Sequence, residues 1–69
     1  MSINPFLGIL QYSDEIVKSP NPINYTKRAE NYEAASLYKQ ALADYQKASD
    51  LLPESEYLKS KIKEMELVK

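Results

Sequence analysis

The chain has neither cysteine nor histidine. Without cysteine no disulfide can staple a fold this short, and no thiolate can hold a metal. Without histidine the commonest general base and the commonest transition-metal ligand are both missing. A hard-cation site would need clustered oxygen ligands, but the ten acidic residues are scattered and no loop carries a D-x-D-x-D-G pattern. The net charge is −1, with acids and bases interleaved, which excludes the basic footprint of a nucleic-acid binder. The longest uncharged stretch, residues 1–13, is too short and too polar to span a bilayer, so no membrane insertion is expected. The first basic residue is Lys18, so the start is unlike a secretory signal. Lack of cysteine fits a cytoplasmic or other reducing compartment. The sole glycine is Gly8, and no segment alternates with period two, which removes β-hairpins and leaves an all-α chain. No nucleophile–base pair or phosphate loop is present, so no enzyme and no cofactor are expected.

What is present is helical punctuation. Sixty-nine residues allow one small domain, residues 1–69. Asn4-Pro5 marks a helix start, because asparagine caps free amides and proline at the first position loses no hydrogen bond. Phe6, Ile9, Leu10, Ile16 and Val17 then recur at helical spacing, with Ser13 in the same stripe, predicting a helix over 4–18. Gly8 costs that helix about 1 kcal/mol relative to alanine. Ser19-Pro20-Asn21-Pro22 reads as a proline-rich linker over 19–23. A second helix is expected from Asn24, as cap, to Ala35, with Tyr25, Ala29 and Tyr32 on one face and Arg28 alongside. A third is expected from Leu37 to Leu52, with Tyr38, Ala41, Leu42, Tyr45, Ala48 and Leu52 as its stripe and Pro53 as its stop. A fourth, capped by Ser55, would run over 55–68 with Tyr57, Leu58, Ile62 and Met65 inward and Lys59, Lys61 and Lys63 largely outward.

The spacing of Tyr25, Ala29, Tyr32, Ala41, Tyr45, Ala48 and Pro53 resembles a single tetratricopeptide repeat, a helix–turn–helix unit of roughly 34 residues. Small residues stand where two antiparallel backbones approach, and rings fill the grooves beside them. The run from Ala41 to Ala48 looks much like the second helix of many members, and Tyr38 fits a place that is often aromatic. Two departures stand out: Arg28 replaces a usual leucine, and the inter-helix turn is Ser36-Leu37 where glycine and an acidic residue are usual. The resemblance covers residues 22–55, and the downstream helix looks like the one that closes such arrays. The stretch from Asn31 to Leu42 also resembles the middle of the three-helix microtubule-interacting-and-trafficking domain.

The resemblance implies a non-catalytic protein–protein interaction module, an adaptor or assembly factor, with a protein or peptide as partner. Its concave groove would carry Ile23, Thr26, Glu30, Glu33 and Ala34. The family's carboxylate clamp for chaperone tails needs lysine and asparagine where Thr26 and Glu30 stand, so that ligand is disfavoured. From the residues alone, Glu30 and Glu33 read as a solvated face. The first helix offers Phe6, Leu7, Ile9, Leu10, Ile16 and Val17, more than one narrow stripe, which predicts a homodimer or an obligate partner engaged there. Two further readings stand beside these: a structural or regulatory subunit contacting its partner through that helix, and a small-ligand carrier with a tyrosine-lined pocket.

Overall fold

The computed structural model describes residues 4–68, and the span expected for the domain extends past them at both ends. Four helices make an all-α bundle: α1 (Pro5–Lys18), α2 (Pro22–Ala34), α3 (Tyr38–Leu51) and α4 (Glu56–Val68). No strand occurs among the described residues. Each helix backbone packs on its chain neighbour alone, α1 on α2, α2 on α3 and α3 on α4.

Helix α1 begins as its sequence dictates, with the Asn4 side chain accepting from the Phe6 amide at 3.0 Å and Pro5 in the first turn. The same Asn-Pro signal recurs at Asn21-Pro22, and there the linker expectation is corrected. Asn21 is the cap, its Oδ1 accepting from the Asn24 amide at 2.9 Å, and Pro22 opens α2. Proline is free to do so because the amide it lacks would have had no partner in the first turn. The connection therefore shrinks to residues 19–21. Asn24, expected as the cap, lies inside the helix and donates from Nδ2 to the Ser19 carbonyl at 2.9 Å, tying α2 to the end of α1.

The α2–α3 turn closes with Leu37 N–H donating to Tyr32 O and Ser36 N–H to Glu33 O, both at 2.9 Å. This paired pattern requires a left-handed residue at its centre, which is Ser36 at φ 61°. Between α3 and α4, Ser55 caps as expected, accepting from the Leu58 amide at 3.2 Å.

The core sits where α3 meets its two neighbours. Ala29, Ala41, Tyr45 and Ala48 are fully buried, with Leu42, Leu58 and Met65 nearly so, and Tyr25, Tyr32, Tyr38 and Ile62 pack against them. Leu52, expected in the α3 stripe, is exposed instead because the helix has already ended at Leu51. Asp44 lies in the buried stripe of α3 and takes two hydrogen bonds from Arg28, Nε at 2.6 Å and Nη2 at 2.8 Å. Arg28 Nη1 also donates to Ser13 Oγ at 3.1 Å, so one guanidinium joins three helices. The guanidinium also lies over two rings, its carbon 5.9 Å from the Tyr25 centroid and 5.6 Å from that of Tyr32.

Gly8 permits the close approach of α1 to α2. A β-carbon there would fall on the side-chain amide of Asn31, which donates to the Lys27 carbonyl at 2.8 Å. The helix-propensity cost of this glycine is the condition of that contact.

Candidate functional site

Two surfaces on this frame merit attention. The first follows from α2 and α4, whose backbones do not pack together but whose long side chains do reach one another. Tyr45, from the core, donates to Glu33 at 2.8 Å, and Lys61 donates to the same carboxylate at 3.0 Å. The Lys61 ammonium also stands 5.7 Å from the Tyr45 ring centroid. Tyr57 donates to Glu30 at 2.7 Å, and Lys27 lies 3.8 Å from the same side chain.

This network corrects two expectations. Glu30 and Glu33 are half-buried acceptors between helices, not a solvated face. Lys61 turns inward, because one turn along α4 from Tyr57 it reaches the one carboxylate that Tyr45 cannot satisfy alone. The electrostatics follow from the geometry. Burial raises the Tyr45 phenol far above its ordinary range, and Glu33 raises it further. Tyr57 is raised by burial and by Glu30. For Lys61, burial favours the neutral amine, but the hydrogen bond and charge of Glu33 outweigh it and the net shift is upward.

Below the network, toward the start of α2, lies an open cleft of about 240 Å³ lined by Pro22, Ile23, Thr26, Leu52, Tyr57 and Leu58 among others. Of the five groove residues expected from sequence, Ile23 and Thr26 line this cleft, Glu30 and Glu33 belong to the network, and Ala34 is exposed and lines neither. Leu52 and Tyr57, not anticipated here, come from the far side. Their signal was the turn itself, since Pro53 brings the end of α3 and the start of α4 to face α2.

The second surface is α1. It contains no buried residue. Its inner side is set by Gly8 against Asn31 and Ser13 against Arg28, and Ile9 and Ile16 share that side and are half-buried. Phe6, Leu7, Leu10 and Val17 are exposed, Leu10 at 67% and Val17 at 85%. The six α1 residues expected to meet a partner thus divide into two that face the body of the fold and four that are open. These six residues cover about 180° of the helix circumference, more than one neighbouring helix can bury.

Among the described residues no group of three or more acidic, cysteine or histidine side chains is placed to hold a metal, and no helix is long and apolar enough to cross a membrane. No protein-family model matches the chain, and no curated protein or solved structure matches it.

Proposed function

We propose that the chain is a non-catalytic helical interaction module whose central hairpin, α2 and α3, is a tetratricopeptide-like scaffold and whose contact surface is α1. The observation that carries this reading is the open stripe of Phe6, Leu7, Leu10 and Val17 on a helix with no buried residue of its own. A contiguous apolar face on a small fold marks a place where another surface docks. The scaffold half of the reading is supported by the full burial of Ala29, Ala41 and Ala48 where α2 and α3 cross. It is also supported by the left-handed backbone of Ser36, in the turn where the repeat usually carries glycine. The setting is a reducing, cytoplasmic one, consistent with a chain that lacks cysteine.

A second reading places a peptide's apolar side chain in the cleft beside Ile23 and Leu52. It is favoured by the apolar lining there and by the exposure of Ile23.

Site-directed photo-crosslinking tests the main reading. A photoreactive phenylalanine analogue at position 10, in cells producing the full chain, is expected to give covalent adducts, and the same analogue at position 63 on α4 is expected to give none. Equal labelling at both positions, or none at either, overturns α1 as the contact.

A further inference from the structure

We infer that the occupant of the α1 stripe is a second copy of this chain, joined across a two-fold axis that passes near Leu10. The inference rests on the reading of α1 as the contact surface and names its partner.

Three observations carry it. The first is charge. A two-fold contact sets each residue near its own image, so a patch with charges of one sign repels itself. Pro5 to Ser13 holds no charged residue at all; Asp14 and Lys18 are exposed farther along the same side, where they flank Val17 at the rim of the patch. The uncharged stretch centres on Ile9, which faces the body of the fold, and the exposed residue next to that centre is Leu10. The second observation is area. Phe6, Leu7, Leu10 and Val17 expose on the order of 500 Å² per chain, so covering them completely in two copies removes at most about 1,000 Å², the lower bound of a specific interface, and Val17 at the rim supplies about a quarter of it. The third is the contrast with the opposite side of the bundle. The outer face of α4 exposes Glu56, Lys59, Ser60, Lys63 and Glu66 around Leu67. An α1 stripe docked on that face would strip water from those charges, the Glu56–Lys59 ion pair at 3.5 Å included, and offer them apolar side chains in exchange. Head-to-tail stacking, which would propagate into filaments, is therefore disfavoured, and α1 against α1 closes after two copies.

Sedimentation equilibrium of the full chain from low to several hundred micromolar tests the inference. The expected mass is twice the 7.9 kDa of one chain. Leu10→Glu is expected to weaken association about 100-fold or more, because each carboxylate faces its image in a desolvated contact. Its helical circular dichroism should be unchanged, since Leu10 is not part of the core. Leu10→Lys should behave alike, and an equimolar mixture of the two variants should recover the dimer mass. Leu67→Glu, on the outer face of α4, should leave the dimer intact. A wild-type mass of one chain at the highest concentration overturns the second copy as occupant; α1 as a contact for some other protein is then judged by crosslinking at position 10. A mass that climbs beyond two chains overturns the two-fold closure. Failure of the mixed variants to pair overturns the axis at Leu10, and loss of the dimer in Leu67→Glu moves the contact off α1.

Discussion

Asp44 and Arg28 show how much can rest on one pair of side chains. The Asp44 side chain is 7% exposed and that of Arg28 21%. The hydrogen bond and charge of Asp44 hold the guanidinium proton still more firmly than usual, against the opposing effect of burial. Removing one member of such a pair leaves the other buried without its counter-charge, which costs about 3–5 kcal/mol. Asp44→Leu and Arg28→Met are each expected to lose stability on that scale in urea unfolding. The double replacement Arg28→Met/Asp44→Leu is expected to recover most of the loss, because it leaves no charge stranded. Losses that simply add in the double variant would show that the two residues do not act as a unit. The pairing was within reach of the sequence, since Asp44 falls three residues after Ala41 and four before Ala48, in the stripe that faces α2. An acid in that stripe needs a cation opposite, and Arg28 was the departure from the repeat pattern that supplies it.

At the scale of the helix, the α2–α3 crossing depends on side chains that are small. Ala41 and Ala48 are fully buried, whereas Ala43 on the same helix is exposed. Ala41→Leu and Ala48→Leu are each expected to destabilise by roughly 1–3 kcal/mol through overpacking. Ala43→Leu should melt with the wild type, and equal midpoints for all three would count against the crossing described. The helices themselves were legible in their caps and periodicity: Asn4-Pro5, the alanine–tyrosine stripes of α2 and α3, and Ser55 ahead of α4 all say where helices lie. The start of α2 carries the same Asn-Pro signal as α1, in Asn21-Pro22, but Pro20 just before it gives the proline pair the look of a break and masks the cap. The inward turn of Lys61 was illegible for a different reason. Its partner Glu33 lies on a helix not adjacent in the chain, and no spacing within α4 reports that. The division of α1 into a covered and an open side was equally out of reach until Gly8 and Asn31 fixed which side meets α2.

For the molecule as a whole, the tyrosine–carboxylate–lysine network between α2 and α4 sets the alkaline limit of stability. Tyr45 and Tyr57 are raised from the ordinary 10.0, and Lys61 from 10.5. A group whose folded pKa stands above its unfolded value contributes stability that is complete below the unfolded value and is lost as pH rises toward the folded one. The contribution of these groups is therefore expected to be complete and independent of pH near neutrality, and to fall once the medium passes about pH 10, where the unfolded chain releases protons the folded chain retains. Tyr45→Phe should flatten that fall while costing about 0.5–1.5 kcal/mol at neutral pH for the lost hydrogen bond. Urea midpoints between about pH 8 and 11.5 provide the measurement, and an identical alkaline slope in the variant would exclude Tyr45 as its source. The neighbour-to-neighbour order of the helices governs how this chain reaches its fold at all. No backbone pairing waits on the meeting of distant segments, so little loop entropy is spent before contacts begin to form. The hairpin of α2 and α3 can assemble first and accept α1 and α4 from either side, which places folding in the microsecond-to-millisecond range of low-contact-order proteins. The bridges from Tyr57 and Lys61 to α2, separated by 27 and 28 positions in the chain, are expected to close after the neighbouring helices have met, as a latch on a structure already formed.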